Sequence, residues 1–413
     1  MSASAPRAPG AFSVGVNYWP ARTAMGFWRA FDAGEVRADF ARVAAAGFDS
    51  VRVFLLWEDF QPTPDRVEPR MLARLVEVME LALGAGLEVM PTLFTGHMSG
   101  VNWIPPWALG GGDGDARFRI VSGGRVVAAR CLDWYVDAGV FAAQAALARA
   151  VAGALAGHAA LSAWDLGNEN SNCVVPPTRA HGSAWLARMA DAIRAADPGA
   201  RVTIGLHMED LEQDRNLGPA EAAASCDFLT MHGYPGYASF ARGATDERLL
   251  PFLARLTSRL GGGADVLFSE FGVPTYAASD PESEAARAGA SSELVEEIEA
   301  AAYIERALVA LATHGATGAW LWCHADYDRA LWDRPPLDLA THERSFGVFR
   351  ADGSPKPSVA AARRARERIA SAAASATAMT PDDAWLDVDA AEYQRDPKAH
   401  LARLYARFCA VSA

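Results

Sequence analysis

The sequence predicts an α/β protein built as a (β/α)8 TIM barrel, and two observations support this prediction. Eight short strand-forming runs alternate with longer amphipathic helical patterns. The strand runs are almost continuously apolar, which is typical of parallel strands buried on both faces. The eight predicted strands cover residues 13–17, 50–56, 87–93, 161–168, 201–207, 227–233, 265–271 and 318–324.

The connecting segments support the same assignment. Several helical patterns end in glycine or Pro-Gly directly before the next strand, which is a common signal for the C-terminal end of a helix. A doubly wound open sheet is the alternative fold. Such a sheet usually carries a glycine-rich phosphate loop after its first strand, whereas residues 17–28 here read NYWPARTAMGFW. The barrel is therefore the favoured fold.

The chain divides into a catalytic barrel over residues 1–365 and a C-terminal segment over residues 366–413. Two barrel loops are enlarged, one after the third strand and one after the eighth strand. The C-terminal segment reads as a linker followed by an amphipathic helix. We expect this helical extension to pack on the barrel or on a partner subunit.

Composition excludes several classes of partner. The 413 residues carry a formal net charge of −12 with no basic block, so nucleic acid and anionic membrane surfaces are not expected partners. The five cysteines are scattered and form no C-x-x-C pair, which argues against a disulfide framework and a structural zinc site. The N-terminus lacks the apolar run of a signal peptide, so the expected location is the cytoplasm.

Polar and aromatic side chains gather where the predicted strands end, which is where barrel enzymes place their active sites. The run AWDLGNEN ends in Asn168 and Glu169, and the run DVLFSEFG presents Glu270. Two carboxyl groups at strand ends are what hydrolysis of a glycosidic bond requires. Further candidates for the same rim are Trp19, Arg52, Trp57, Glu58, His97, Trp107, His207, His232, Tyr234 and Trp322.

Each of these residues also has a structural interpretation. Glu169 could satisfy free backbone N–H groups at the start of a helix. Glu270 could be the counter-charge of Arg52, because a buried unpaired guanidinium is costly. Histidines at a rim are often only structural, and Trp322 could belong to the core. The occurrence of all these residues at consecutive strand ends favours a carbohydrate-active site.

The chain resembles clan A glycoside hydrolases and is most similar to family 5, which includes cellulases, mannanases and β-mannosidases. The resemblance covers roughly residues 12–365 and rests on short motifs in a specific order. These are Arg52 in SVRVFLLW, Asn168 and Glu169 in GNEN, His232 and Tyr234 in MHGYP, Glu270 in FSEFG, and Trp322 in WLWCH. The resemblance implies that Glu169 is the general acid/base and Glu270 the nucleophile.

The chemistry of retention sets requirements on these residues. Glu169 must be protonated to release the leaving group, so we expect its pKa to be raised towards neutrality. Glu270 must be ionised, and Arg52 and Tyr234 would hold it so. Asn168 would hydrogen-bond the 2-hydroxyl of the sugar, and the two carboxyl groups should lie about 5–5.5 Å apart.

The substrate prediction is an exo-acting β-mannosidase on β-1,4-linked oligosaccharides, with no cofactor and no metal. The segments NYWPARTAMGFWRAFD and WEDFQP resemble the mannosidase-like branches of the family. A β-glucosidase or an endo-β-1,4-mannanase is the first alternative. More distant alternatives are a non-catalytic carbohydrate-binding barrel and a metal-dependent barrel hydrolase with a weak cation site at His207, Glu209 and Asp210. The sequence leaves the oligomeric state open, including a homo-oligomer.

Overall fold

The computed structural model describes residues 11–111, 117–278, 290, 292–375 and 383–411. Eight parallel strands form one sheet in the order β5-β4-β3-β2-β1-β8-β7-β6. The strands are β1 Ser13–Tyr18, β2 Ser50–Leu56, β3 Glu88–Thr95, β4 Trp164–Asn168, β5 Val202–Gly205, β6 Leu229–His232, β7 Val266–Phe271 and β8 Gly318–Leu321. All eight predicted strands are present, and the predicted (β/α)8 barrel is confirmed.

Backbone hydrogen bonds between β5 and β6 join the two ends of this sheet. The amide of Asp227 donates to the carbonyl of Val202 at 2.8 Å, and the amide of His232 donates to Leu206 at 2.8 Å. A parallel bridge between His207 and His232 continues the pairing beyond the strands. Since all strands run in parallel, their C-terminal ends meet at one rim of the barrel.

Helices surround the sheet and connect its strands. They are α1 Ala33–Ala46, α2 Trp57–Phe60, α3 Pro69–Ala85, α4 Ala138–Leu155, α5 Arg179–Ala196, α6 Glu209–Glu212, α7 Pro219–Ala223, α8 Leu249–Leu260, α9 Glu297–Thr313, α10 Pro357–Ser375, α11 Ala390–Arg395 and α12 Pro397–Val411. Their ends follow from local sequence. In α1, for example, Asp32 accepts hydrogen bonds from the amides of Gly34 and Glu35, and Gly47 ends the helix in the left-handed conformation.

Helix α4 is long and apolar enough to cross a membrane by length and composition, and half of that window is buried in the protein. Its buried residues include Val140, Leu147 and Val151. Gln144, also buried, accepts a hydrogen bond from the indole of Trp185 on α5 at 2.8 Å. This packing accounts for the apolar composition of α4 as a barrel helix that is covered by its neighbours.

The loop after β3 forms a small sheet of its own. His97–Met98, Val101–Trp103, Arg119–Ser122 and Arg125–Val127 make four short strands. Two further strand pairs join Leu109–Gly110 to Arg130–Cys131 and Thr275–Tyr276 to Val295–Glu296. Single 3-10 turns lie at Ala24–Gly26, Pro106–Ala108, Asn170–Asn172, Pro235–Tyr237, Arg329–Leu331 and Thr341–Ser345. The described residues of the enlarged third loop thus include this small sheet.

The last barrel helix is longer than the sequence indicated. Helix α10 continues to Ser375 and therefore crosses the expected domain boundary at residue 365 and the start of the expected linker. Its alanine-rich composition favours this continuation, since alanine has the highest helix propensity. Residues 376–382, which the linker prediction also includes, lie outside the described residues.

The C-terminal helices lie against the barrel next to β5 and β6. Trp385 is 1% exposed and packs its ring against Phe252 of α8 and Phe408 of α12. The hydroxyl of Tyr393 donates to the carbonyl of Leu211 at 2.6 Å, and that of Tyr405 donates to Asp246 at 2.5 Å. These contacts bury one face of the extension on α8 and on the loop that carries α6.

Replacing Trp385 with alanine should lower the free energy of unfolding by about 3–5 kcal/mol, because it leaves a large cavity between α8 and α12. Urea denaturation followed by circular dichroism would measure the loss. Leu83→Ala is the matched control, since Leu83 is 44% exposed and its truncation should cost far less. Equal effects of the two substitutions would show that the extension does not stabilise the barrel.

Candidate active site

A buried arginine organises the floor of the rim. Arg52 on β2 is fully buried, and its Nε donates to Thr92 and to Asp165, each at 2.9 Å. Its terminal nitrogens donate to Asp165 at 2.5 Å, to Asn168 at 2.9 Å and to a carboxylate oxygen of Glu270. Burial acts to lower the pKa of Arg52, but the two carboxylates outweigh it and raise the pKa. The guanidinium is therefore a permanent positive charge under the site.

Glu270 is held from two sides. Arg52 binds one carboxylate oxygen, and the hydroxyl of Tyr234 donates to the other at 2.9 Å. Both contacts are hydrogen bonds to the carboxylate that fix its orientation, as expected for a positioned nucleophile. Gly205 makes this assembly possible, because a Cβ at that position would lie 2.6 Å from the carbonyl of Gly167 and 2.9 Å from Arg52. The sequence analysis had not identified this requirement for glycine.

Glu169 sits at the end of β4 among polar side chains. Its backbone adopts the left-handed conformation with φ of 50°, which is costly for a residue with a side chain and is often found at functional sites. Its carboxylate accepts from His232 Nδ1 and from Asn172 Nδ2, both at 3.0 Å. His97 Nε2 lies 3.8 Å away, and the other ring nitrogen of His97 is 2.7 Å from the Asn102 side-chain oxygen.

The expected rise in the pKa of Glu169 is wrong for this arrangement. Burial acts to raise the pKa, but the neighbouring His207, His232 and His97 and the hydrogen bond from His232 outweigh it, so the pKa lies below its ordinary value. Burial in turn lowers the pKa of His97, which favours its neutral form. The sequence could not predict this balance, because the three histidines come from different strands.

The two glutamates lie close together. Oxygens of Glu169 and Glu270 and a ring nitrogen of His232 are all within 4.8 Å of one another. These oxygens lie closer together than the about 6.5–9.5 Å that separates the carboxyl groups of inverting glycosidases. The same three residues could in principle ligate a cation. However, the buried positive charge of Arg52 in contact with Glu270 disfavours a second positive charge there.

The proposed cation site at His207 is similarly occupied by protein groups. Glu209 forms ion pairs with Arg117 and with Arg215. Asp210 accepts from the Ser171 hydroxyl at 2.6 Å and from the amide of His207 at 3.0 Å. The carboxylate oxygens that a cation would need as ligands are therefore already bound by protein groups.

A cavity of about 340 Å³ opens above the glutamates. This volume is within the range of small-molecule sites and can hold a short oligosaccharide. Eight of the residues singled out from the sequence line it, namely His97, Asn168, Glu169, His207, His232, Tyr234, Glu270 and Trp322. Arg52 lies directly beneath and contacts Glu270. The structure thus brings together residues from six different strands or their following loops.

One end of the cavity is closed by two loops that contact each other. The hydroxyl of Ser99, in the loop after β3, donates to Glu343, in the loop after β8, at 3.0 Å. Farther out, Arg119 binds both carboxylate oxygens of Asp338 at 2.7 and 2.8 Å. These contacts connect the two enlarged loops across the rim and form a wall.

Glu343 is a functional candidate that the sequence analysis did not identify. It lines the cavity, is 8% exposed, and accepts a hydrogen bond from the indole of Trp322 at 3.1 Å. Burial raises its pKa to about 7. The sequence offered no signal for this residue, because it lies in an irregular loop far from any strand end.

Other residues at the cavity were also missed. Arg117 and Phe118 from the third loop line it next to Glu209 and Asn172, on the side of Glu169. The ring of Phe118 lies 4.5 Å from that of His97. Asp165, the main counter-charge of Arg52, was overlooked although it stands in the same run as Glu169.

Four sequence candidates lie away from the cavity. Trp19 is fully buried and stacks on Phe54, so it is a core residue. Trp57 packs edge-on against Trp107, and their indoles bond to the side chain and to the backbone of Gln61. Glu58 pairs with Arg29 at 2.5 Å and accepts from the amide of Gly123 at 2.9 Å. In the structure Trp19, Trp57, Trp107 and Glu58 pack the core or anchor the third loop, and their assignment to substrate binding stays a prediction.

The ionisation of Glu343 should make stability depend on pH. Its pKa in the folded protein, about 7 against an ordinary 4.5, favours the protonated form. The resulting stabilisation is therefore present in acid and lost as pH rises through 7, by roughly 3 kcal/mol at full effect. Glu343→Gln, which stays neutral, should raise Tm relative to the wild type at pH 8.5 and change it little at pH 5. If the carboxyl of Glu343 is ionised throughout, Glu343→Gln should show no such pH dependence, and this result would contradict the prediction.

No family model and no curated protein sequence matches the chain. Solved structures do match it. A GH5_18 enzyme from Streptomyces cattleya in complex with GlcNAc superposes with a TM-score of 0.75 at 24% identity, covering 96% of this chain and 89% of that one. A glutamate-to-alanine variant of GH5_18 from the same organism, bound to Manβ1-4GlcNAc, gives 0.73 at 25% identity over 96% and 92%.

A third similar structure is the exo-β-1,4-mannosidase Op5Man5 from Opitutaceae bacterium strain TAV5. It gives a TM-score of 0.69 at 28% identity, covering 87% of this chain and 60% of that one. These similarities agree with the order of motifs along the sequence and with the pair of glutamates at the rim. The chain is a β-glycosidase whose structure is similar to those of clan A, family 5 glycoside hydrolases.

Proposed function

We propose that this enzyme is a retaining, exo-acting β-mannosidase that removes a terminal mannose from short β-1,4-linked oligosaccharides. The observation that carries the proposal is a cavity closed at one end with Glu169 and Glu270 within 4.8 Å of each other. Such a site supports binding of the end of a chain, and the short distance between the two glutamates supports a retaining mechanism.

In the first step, Glu270 attacks the anomeric carbon as Glu169 gives its proton to the departing oxygen. Arg52 and Tyr234 orient Glu270, which has one oxygen bound to each of them. Asn168 is fixed by Arg52 and by the carbonyl of His97, so its side chain is in place for the 2-hydroxyl of the sugar. Water then enters, and Glu169 acts as the base that releases the sugar with its configuration retained.

Histidines surround the carboxyl group of Glu169. His232 is in direct hydrogen-bond contact with Glu169, and His97 lies close. Burial acts to raise the pKa of Glu169, which favours the protonated acid that the first step needs, and the neighbouring histidines act to lower it.

The wall formed by the third and eighth loops supports exo action. A polymer needs an open cleft, whereas here Ser99 and Glu343 close one end of the cavity. The opposite side, next to Glu169, carries Arg117, Phe118 and Glu209 and is suited to a leaving sugar with polar substituents. The choice of mannose rests on the similar structures, of which one is an exo-β-1,4-mannosidase and another was solved with Manβ1-4GlcNAc.

Variants of the two glutamates test the mechanism. Glu270→Ala should lose at least about 10⁴-fold in kcat on every substrate, because no covalent intermediate can form. Glu169→Ala should lose activity on natural disaccharides but still react with aryl β-mannosides that have good leaving groups. Added azide should then rescue turnover and give a β-mannosyl azide. Wild-type rates for Glu270→Ala, or an α-configured azide product, would contradict the retaining assignment.

A substrate panel tests specificity and mode of action. We expect the highest kcat/KM on Manβ1-4GlcNAc or β-1,4-mannobiose, release of mannose from chain ends, and little effect on the viscosity of mannan. Preferred cleavage of aryl β-glucosides would favour a β-glucosidase, and a rapid fall in viscosity an endo-β-1,4-mannanase. Activity that survives EDTA would argue against the metal-dependent alternative.

A further inference from the structure

Glu343 is a buried acid that joins the two enlarged loops through its hydrogen bond with Ser99. Among the described residues no lysine or arginine forms an ion pair with it, and its ion-pair contact is His342, with 3.6 Å between His342 Nε2 and Glu343 Oε1. Burial lowers the pKa of His342 to about 4, so that ring is uncharged at neutral pH. A carboxyl placed in a cavity without a counter-charge is costly to the fold. It therefore calls for an explanation in ligand binding.

The two carboxylate oxygens of Glu343 differ in the number of hydrogen bonds that they accept. Ser99 and Trp322 both donate to the same oxygen, Oε2, at 3.0 and 3.1 Å. The other oxygen, Oε1, is too far from His342 for a hydrogen bond at 3.6 Å. A carboxylate can accept about four hydrogen bonds, so Glu343 keeps acceptor capacity on Oε1 while Oε2 fixes its orientation.

The remaining hydrogen-bond acceptor capacity of Glu343 lies at the closed end of the cavity. Ser99 and Glu343 form the wall between the two enlarged loops, and Glu343 also holds the indole edge of Trp322. In a pyranose ring the carbon opposite the anomeric carbon is C4. A sugar whose C1 meets Glu270 must point the C4 end away from the scissile bond, towards a surface that closes the cavity.

We propose that Glu343 accepts hydrogen bonds from the C3 and C4 hydroxyl groups of the terminal sugar and thereby restricts the enzyme to chain ends. The proposal rests on the proposed function, since it assumes that the cavity holds the terminal sugar of a β-mannoside. A 4-hydroxyl held by Glu343 and enclosed by Ser99 cannot carry another sugar. Binding of the chain end and exclusion of longer chains thus come from the same contact.

Deoxy substrates can test this contact. The kcat/KM of the wild type and of Glu343→Gln is measured on an aryl β-mannoside and on its 2-, 3-, 4- and 6-deoxy analogues. On the parent substrate Glu343→Gln should lose about 10–100-fold, the range for a hydrogen bond to a charged acceptor. On the 4-deoxy or 3-deoxy analogue the two proteins should differ by less than about 3-fold, because the interacting hydroxyl is absent.

Two further variants complete the test. Ser99→Ala, which removes one donor that orients Glu343, should show a smaller loss that also disappears on the same deoxy analogue. Glu58→Gln, an equivalent substitution outside the cavity, should behave as the wild type on the whole panel. Circular dichroism and Tm show whether each variant is folded, and the comparison between substrates is made within each folded protein.

The outcomes separate the two proposals. A loss in Glu343→Gln that is the same on all five substrates, or that disappears only on the 2-deoxy or 6-deoxy analogue, would overturn the role of Glu343 and leave the proposed function intact. Equal rates of Glu343→Gln and the wild type on the parent substrate would also overturn the role of Glu343 and leave the proposed function intact. Absence of activity of the wild type on every β-mannoside would overturn the proposed function and this inference with it.

Discussion

The ion-paired guanidinium of Arg52 is the constraint on which the rest of the site depends. Burial of this charge without a partner would cost too much free energy of folding. The carboxylates of Asp165 and Glu270 therefore form ion pairs with it from two sides. Asp165 is itself held by the amides of Gly167 and Gly205, at 3.2 and 2.9 Å. Strands β2, β4, β5 and β7 are therefore tied together beneath the reacting groups. The same interaction fixes the position of the Glu270 carboxylate.

Around this floor, neighbouring groups give the two glutamates different surroundings. Glu270 contacts the guanidinium of Arg52, whereas Glu169 contacts the imidazole of His232 and lies near that of His97. In the proposed mechanism the first contact suits a nucleophile and the second an acid/base. The loops after β3 and β8 contact each other apart from this floor. The groups proposed for the chemistry and for the selection of chain ends therefore lie on separate parts of the fold.

Much of the fold was predictable because its signals are local. Continuous apolar runs and helix-ending glycines identified eight strand–helix units, and the strand ends directed attention to Asn168, Glu169 and Glu270. The tryptophans show where this reasoning fails. Trp19 and Trp57 follow strand ends just as Trp322 does, but they turn into the core. The position of a residue along a strand predicts that it lies at the rim. The direction of a side chain that follows the strand depends on the packing of the loop.

The sequence by itself determined the barrel, the order of its strands and the pair of glutamates, since these follow from periodicity and from short motifs read along one chain. Tertiary structure alone decided the ionisation of Glu169, the closure of the cavity and the presence of Glu343 within it. Each of these arises from groups distant in sequence, such as Ser99 and Glu343, that only folding brings to hydrogen-bond distance. Burial and neighbouring charge, which set the pKa of an acid, are properties of that assembled neighbourhood and not of the residue.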